Sequence, residues 1–405
     1  MSAASEEEVH TLVEQNHQLI RQVGAQQKEI DELRARLDRM EPTGAAERPT
    51  PVLAEAGRQI RLSGEASLAF FHSGKSGNFP NSEFGVDEAK IFVEAPIWKN
   101  VYFFGGIDLA SRESGEGLNL GELYVDAENV FSSGRDRTLS LRVGRFNTPF
   151  GEEYQVRNVV DNPLISHSLA DIWGLDDGIQ AYGSLGRFKY NLAVQNGGAK
   201  TPAISGFDKA VTARVSVDVA PRLHFSASAM RTGRLSSANY ALSEIWFGNT
   251  FFRDIDSPTS TQTFSADLLE LDAGTHWKTG RVQAMAGWIS FDDDSTVSNN
   301  ARHLSYYSLE ARQQLGGDLF GAVRFSGIRA PGGYPLAGQG NVGKYFYNPF
   351  APLTTDLQRL SLGLSYHFGP PLVWKMEYSR ETGHLLNGTK RSDADTVSTL
   401  LGLKF

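Results

Sequence analysis

The sequence predicts an all-β protein, a 16-stranded antiparallel transmembrane β-barrel preceded by an N-terminal α-helical coiled coil. Three observations predict this. A heptad repeat occupies the first 41 residues, segments of period-two alternation follow, and short and long connections alternate between those segments. The predicted domains are therefore the coiled coil at 1–41, a Pro-rich linker at 42–57 and the barrel at 58–405.

The composition fits this class. The 405 residues include 41 glycines and 11% aromatic residues, as expected for strands joined by many turns. No apolar run reaches 18 residues, which excludes a transmembrane helix but not a barrel, because barrel strands alternate lipid-facing and lumen-facing residues. A net charge of −8 argues against nucleic-acid binding. The absence of cysteine and the spacing of the nine histidines predict neither a metal site nor a cofactor.

The N-terminal heptad has Val9 at position a. Eight of the ten a and d positions between Val9 and Met40 are apolar, which favours a coiled coil, and a parallel trimer is the preferred state. Pro42 ends the helix and opens the linker. The residues expected to form the trimer seam are Val9, Leu12, Asn16, Leu19, Val23, Ile30, Leu33 and Leu37. The alternative is one amphipathic helix packed on its own domain.

Sixteen segments beyond the linker alternate in polarity. In one of the clearest, Val215 and Val217 share a face, and Arg214 and Ser216 share the other. The predicted strands are 58–72, 83–97, 100–112, 118–130, 138–147, 176–186, 187–196, 207–220, 222–232, 263–277, 280–292, 303–315, 318–330, 355–368, 371–382 and 394–405. The facing of 280–292 is ambiguous.

The connections between these strands alternate in length. The long or polar ones are 73–82, 113–117, 148–175, 197–206, 233–262, 293–302, 331–354 and 383–393, whereas the others are mostly tight turns. An outer-membrane barrel has this layout, with short periplasmic turns and long extracellular loops. Aromatic residues near the short turns, such as Trp98, Trp277 and Trp374, are expected to contact the lipids of the outer membrane.

Two segments resemble signatures of the phosphate-selective porin O/P family. They are L-R-V-G-R-F-N-T-P-F-G-E-E at 141–153 and G-L-D-D-G-I-Q-A-Y-G-S-L-G-R-F-K-Y-N-L-A-V-Q-N-G-G at 174–198. The resemblance implies a trimeric outer-membrane porin, often with an N-terminal coiled coil, that takes up solutes passively. Phosphate selectivity in that family rests on arginines and lysines in the lumen. Here basic and acidic residues on the polar faces of the strands nearly balance, so the sequence does not establish an anion-only channel.

The resemblance also implies a role for the last strand. Residues 397–405 alternate in polarity, apart from Leu400, and end on an aromatic residue. Such a strand is what the outer-membrane assembly machinery is expected to recognise, through Leu401, Leu403 and Phe405.

A 16-stranded barrel leaves a water-filled lumen, so a segment is needed to narrow it. The connection 148–175 is the natural candidate. Opposed charges across a narrow throat would filter solutes by charge. The candidate constriction residues, on this connection and on the facing wall, are Arg142, Arg157, Asp161, His167, Asp171, Arg214, Arg324 and Arg359. The alternative is that they attach the connection to the wall by salt bridges.

The predicted function is passive diffusion of small hydrophilic solutes or ions through a homotrimeric outer-membrane porin, with anion or phosphate preference as a secondary hypothesis. One alternative is an envelope tether, in which the coiled coil lies in the periplasm and binds peptidoglycan. The other is an outer-membrane hydrolase using His224 or His367.

Overall fold

The computed structural model describes most of the barrel region. The described residues are 59–77, 79–111, 115–133, 136–156, 158–172, 174–197, 208–233, 235–236, 263–293, 302–335, 353–391 and 394–405. The predicted coiled coil at 1–41 and the linker at 42–57 lie outside them.

Strands dominate the described residues. They are β1 (Arg61–Ser73), β2 (Glu83–Trp98), β3 (Val101–Ser111), β4 (Gly115–Ser133), β5 (Asp136–Asn147), β6 (Leu175–Leu185), β7 (Phe188–Gln195), β8 (Ala210–Ala220), β9 (Leu223–Arg231), β10 (Leu235–Ser236), β11 (Thr263–Trp277), β12 (Gly280–Asp293), β13 (Arg302–Gly316), β14 (Leu319–Pro335), β15 (Leu353–Gly369), β16 (Leu372–Leu385), β17 (Lys390–Arg391) and β18 (Thr396–Lys404). A 3-10 helix, Glu153–Val156, follows β5. No helix in the described residues is long and apolar enough to span a membrane.

The strands close into one antiparallel barrel. Each long strand pairs with its neighbours in sequence, and β1 pairs with β18 from Glu65↔Lys404 to Ser73↔Thr396. The two-residue strands β10 and β17 only extend this sheet, at the edges of β11 and β16. Sixteen strands therefore form the wall, and the predicted 16-stranded antiparallel barrel is confirmed.

Six connections in the described residues contain two residues each: 99–100, 186–187, 221–222, 278–279, 317–318 and 370–371. Two-residue hairpin turns need residues that tolerate positive φ. Asn100, Gly186 and Gly317 supply φ values of 58°, 62° and 53°. The predicted connection 113–117 is shorter than expected, because β4 begins at Gly115.

The two faces of the wall differ in chemistry. Leu360, Leu362 and Leu364 of β15 point outward and are 40%, 47% and 42% exposed, whereas Arg359 and Ser361 point inward and are buried. This alternation gives an apolar outer surface and a polar inner wall, as a barrel in a lipid bilayer requires. The inner wall is buried partly because residues 148–174 lie against it.

Candidate functional site

The connection between β5 and β6 folds into the barrel. We call residues 148–174 the inward segment. The Thr148 N–H donates to the Gly174 carbonyl at 2.7 Å, which closes the neck of the segment between its two strands. Beyond that neck, the segment contacts inward-facing residues of β1, β8, β9, β11–β16 and β18. The segment therefore lies in the lumen.

Apolar contacts hold the inward segment on two sides of the lumen. Phe150, Leu169 and Ile172 pack among buried residues of β8–β15, including Tyr306 and Ile328. Val159 and Ile165 pack with Ala69 and Phe71 of β1 and with Leu400 of β18. Burying such side chains stabilises a structure by roughly 1.5–3 kcal/mol each. These apolar contacts fix the segment across the lumen.

Glycines on the wall make room for these contacts. A methyl group added to Gly402 would stand 2.6 Å from a Val159 side-chain carbon, and one added to Gly363 would overlap with Leu164.

Charged groups of β14–β16 bind the backbone of residues 162–167. Arg324 donates to the Ser166 carbonyl at 2.7 Å, Arg359 donates to the His167 carbonyl at 3.0 Å, and Lys375 donates to the Leu164 carbonyl at 3.3 Å. Glu377 accepts the Ile165 and Ser166 N–H groups at 2.7 and 2.8 Å. Buried main-chain groups need such partners, so these side chains replace the hydrogen bonds that a regular element would supply.

Two of these arginines are also neutralised within the wall. Arg324 binds Glu310 with its Nε at 2.8 Å, and Arg359 binds Glu381 with its Nε at 2.7 Å. Arg324 and Arg359 are 3% and 4% exposed, so neither guanidinium faces open solvent. For Arg324 and Arg359, these contacts agree with the alternative that the candidate residues attach the connection to the wall.

Arg214 on β8 holds the start of the inward segment. It donates to the Gly151 carbonyl at 2.8 Å and to the Tyr154 hydroxyl at 3.2 Å, and it lies 3.9 Å from Glu152. Gly151 has a φ of 70°, and its N–H donates to Ser228 at 3.0 Å.

Arg142 on β5 binds the wall. Its Nη2 donates to Asp126 at 2.8 Å, and its guanidinium lies 4.1 Å from the centre of the Tyr124 ring. Tyr182 donates to the same carboxylate at 2.6 Å. Because the Arg142 guanidinium is buried and its charge is paired, it contributes little net charge to the lumen.

The remaining candidates lie on the inward segment itself. Asp161 accepts a hydrogen bond from Asn158 at 2.5 Å and lies 3.8 Å from Lys404. His167 and Asp171 are both buried and form a pair with 2.9 Å between Nδ1 and Oδ2. Arg157 lies outside the described residues.

The pKa values of two adjacent acids of the inward segment, Glu152 and Glu153, are shifted in opposite directions. Burial and the nearby Asp171 carboxylate raise the pKa of Glu153 to about 7, although the carboxylate accepts the Ser168 N–H at 2.8 Å. Burial also opposes ionisation of Glu152, but Arg214 and His224 outweigh it and lower the pKa of Glu152. Arg214 thus keeps one of the two acids ionised beside the wall.

A cleft remains between the inward segment and the β11–β14 wall. It encloses about 630 Å³, including the part that is open to solvent. Ten of its fifteen lining residues are polar or charged, among them Glu152, Asn162, Asp272, Gln283, Ser308 and Glu310. Among the described residues, the inward segment therefore does not fill the space beside β11–β14.

Three basic residues of the inner wall, Arg281, Arg312 and Lys404, are not among the candidate constriction residues. Arg281 of β12 stands opposite Arg312 of β13, whose Nη2 lies 3.2 Å from His367 of β15. Each guanidinium is only partly buried, and the Nε of each has no hydrogen-bond partner among the described residues. Lys404 of β18 also points inward. Arg281 was not predicted to point inward, because the alternation in 280–292 does not decide which side chains face the lumen.

The two histidines proposed for a hydrolase differ in their surroundings. The His224 ring nitrogens face two carboxylates, Asp218 at 2.7 Å and Glu152 at 3.6 Å, so an Asp–His pair is present on the wall. His367 lies 3.2 Å from Arg312, and neither ring forms a hydrogen bond with a serine among the described residues. No group of three or more metal-ligating side chains occurs in the described residues.

The predicted assembly residues lie at the barrel seam. Leu401 and Leu403 point outward and are 48% and 39% exposed. Phe405 exchanges two backbone hydrogen bonds with Gly64, both of 2.9 Å. The last residue therefore belongs to the contact that closes the barrel.

Comparisons with known proteins identify the fold. No protein-family description and no curated sequence matches the chain. Among solved structures, the outer membrane channel DcaP of Acinetobacter baumannii matches with a TM-score of 0.58 at 11% identity, over 87% of this chain and 99% of that one. A trimer form of OmpT, an outer membrane protein of Vibrio cholerae, matches with a TM-score of 0.56 at 10% identity, over 86% and 100%. Pseudomonas putida OprB matches with a TM-score of 0.52 at 10% identity, over 86% and 94%. The chain therefore has the barrel fold of these outer-membrane proteins.

Proposed function

We propose that the chain is a channel of the bacterial outer membrane through which small hydrophilic solutes or ions diffuse passively. The observation that carries this proposal is the inward segment, which crosses a closed barrel and leaves a cleft with ten polar or charged residues among the fifteen that line it. An apolar outer wall suits lipid, and a polar inner wall suits water and solutes. The fold shared with DcaP supports the same class of protein.

Planar-bilayer recording tests this proposal. The purified protein is expected to insert with discrete conductance steps whose size scales with electrolyte concentration, as diffusion through a water-filled pore requires. Protein that is folded by circular dichroism, yet gives no steps over a wide protein range, would contradict the proposal.

We further propose a preference for anions at this channel, set by arginines of the inner wall. The basic residues Arg281 and Arg312 support it. Arg281 lies 3.5 Å from Glu310, but its Nε and Nη2 and the Nε of Arg312 have no hydrogen-bond partner among the described residues. Arg142, Arg324 and Arg359 instead form hydrogen-bonded ion pairs. In a potassium chloride gradient, the reversal potential should indicate chloride preference, and the double variant Arg281→Gln/Arg312→Gln should shift it toward cations. Arg231→Gln, on the outer face, is the charge-matched control. A cation-preferring wild type would reject this preference.

The coiled coil remains a proposal of its own. The heptad at 1–41 supports a homotrimer assembled through the seam residues named above, in the periplasm. The test is the mass of the detergent-solubilised protein. The wild type should have the mass of a trimer, and the variant Leu19→Lys/Leu33→Lys, which disrupts the seam, should not. A trimer that survives both changes would place the subunit contacts elsewhere. The tether alternative predicts co-sedimentation of the full chain with purified peptidoglycan, lost in the same variant.

A further inference from the structure

Two arginines on the outer wall lack an acidic partner. Arg329 of β14 and Arg380 of β16 are both exposed, and neither forms an ion pair with a described residue. Arg231 of β9 differs, because it binds Asp267 on β11 at 3.0 Å. An outward guanidinium without a partner is costly beside lipid chains unless it reaches a polar layer, so the height of the two residues matters.

Their positions along the strands set that height. Arg329 lies ten residues from Leu319, where β14 leaves a two-residue turn. At about 3.3 Å per residue and a tilt of about 45°, this corresponds to about 23 Å along the barrel axis, close to the height of an apolar band of about 25 Å. Arg380 lies eight residues from Leu372, or about 19 Å by the same rule, and its long side chain extends upward. Both charges therefore reach the headgroup layer on the side of the long connections.

Each arginine has a tyrosine of the same outer face as a neighbour. Tyr307 stands opposite Gly327, two residues before Arg329, and a methyl group at Gly327 would lie 2.6 Å from the Tyr307 hydroxyl. Tyr378 precedes Arg380 by two residues, and its hydroxyl donates to Asp395 at 2.7 Å. Tyrosine is enriched where the hydrocarbon meets the headgroups. The two Tyr–Arg pairs thus mark this boundary on β13–β16.

The spacing of the two charges suits one ligand with two anionic groups. Arg329 stands opposite Asp356, and Asp356 stands opposite His384, four residues from Arg380. Two strand spacings and four residues separate the α-carbons by roughly 16 Å. Each guanidinium binds phosphate through a planar pair of donors. The Asp356 carboxylate lies between them and contacts the His384 Nδ1 at 3.1 Å instead of either arginine.

We propose that Arg329 and Arg380 bind the two phosphates of a bis-phosphorylated glycolipid in the outer leaflet. This inference rests on the proposed outer-membrane location. The acyl chains of the lipid lie along the apolar face of β14–β16, which presents Phe325, Leu362 and Met376. Bound lipid then surrounds this part of the wall as a fixed shell.

Native mass spectrometry of the detergent-solubilised full chain tests the proposal. The probe is bis-phosphorylated lipid A, with fully dephosphorylated lipid A and phosphatidylglycerol as comparison lipids. The wild type is expected to retain the bis-phosphorylated lipid preferentially. Arg329→Gln/Arg380→Gln should weaken its binding by roughly twentyfold, about fivefold for each arginine near a lipid surface. Arg231→Gln, which removes an outward arginine that already has an acidic partner, should bind as the wild type does.

Three results would overturn the proposal: equal retention of the dephosphorylated lipid, equal loss in Arg231→Gln, or undiminished binding in the double variant. Preference for phosphatidylglycerol over lipid A would also overturn it. Conductance measured on the same samples separates the two ideas. Lipid-binding protein without conductance contradicts only the channel, and conducting protein without specific lipid binding contradicts only this inference.

Discussion

The carboxylate of Glu377 accepts two hydrogen bonds from Ser166, at 2.8 Å from the backbone N–H and at 2.5 Å from the hydroxyl. The two residues are far apart in the sequence, one on the wall strand β16 and one in the inward segment. The Ile165 N–H donates to the same carboxylate at 2.7 Å. A single buried acid thus holds the turn of the segment at the wall.

Removing this acid should loosen the segment. Glu377→Ala leaves three buried donors without their acceptor and removes a negative charge near Lys375 and Arg324. We expect the free energy of unfolding to fall by about 2–4 kcal/mol and the open-channel current to become noisier. Urea unfolding in detergent and single-channel recording measure both. Glu83→Gln, at an exposed acid without an ion pair among the described residues, should change neither. Quiet current in Glu377→Ala would count against the role of this contact.

Gly151 should tolerate no side chain. Its φ of 70° disfavours other residues, and an added methyl group would overlap with a Glu270 carboxylate oxygen. Gly186 is a matched control, because its φ is 62° and a methyl group there meets nothing within 4 Å. Both alanine variants should lose about 1 kcal/mol from backbone strain. Only Gly151→Ala should lose more and alter the conductance. Equal losses in unfolding experiments would show that Glu270 does not limit this position.

The docking of the inward segment should weaken as pH rises. The pKa of Glu153 is raised from 4.5 to about 7, so the docked segment holds the proton more tightly than a segment released into water. Its stabilising contribution is complete below about pH 4.5 and is lost as pH rises through about 7. We expect current noise to increase over this range and Glu153→Gln to abolish the increase. Glu152→Gln is the control, because the pKa of Glu152 is lowered. Noise that falls with rising pH would have the wrong sign.

The barrel seam should depend on Gly64. A methyl group there would lie 2.6 Å from the Lys90 carbonyl oxygen and 2.7 Å from the Phe405 ring. Gly64→Ala should therefore lower the free energy of unfolding by about 1–3 kcal/mol, through overpacking. Gly85→Ala on β2 is the control, since nothing lies within 4 Å of the added group.

If Phe405 serves assembly as proposed, its deletion should reduce the folded protein recovered from outer membranes. Normal recovery would refute that role.

The wall was predictable because its signals are local. Period-two alternation places Leu362 and Ser361 on opposite faces without reference to other strands, and tight turns mark one end of each hairpin. The inner position of Arg214 followed from the same alternation. Small errors arose at strand ends beside the long connections, where β4 begins earlier and β14 continues to Pro335.

The partners of the site residues were not predictable. Arg324 meets Ser166 across 158 positions of sequence, and nothing local distinguishes it from a free lumenal arginine. Arg312 also points into the lumen, as Arg324 does. In contrast to Arg324, its Nε has no hydrogen-bond partner among the described residues. Alternation gives the direction of a side chain, whereas its charge compensation depends on the path of the inward segment.

The central claim, that the inward segment stays docked in the conducting channel, is best tested by cross-linking. The Ser166 and Ser361 hydroxyl oxygens lie 3.4 Å apart, and the chain contains no cysteine, so Ser166→Cys/Ser361→Cys introduces one possible intramolecular disulfide. We predict that this disulfide forms on mild oxidation and leaves the single-channel conductance within about twofold of the wild type, a change smaller than about 0.4 kcal/mol in barrier. Ser166→Cys/Ser140→Cys, which places the second cysteine on β5, whose side-chain contacts within the described residues do not include residues 162–167, should not cross-link. Failure of the Ser166–Ser361 pair to cross-link, or loss of current once it is cross-linked, would contradict the account.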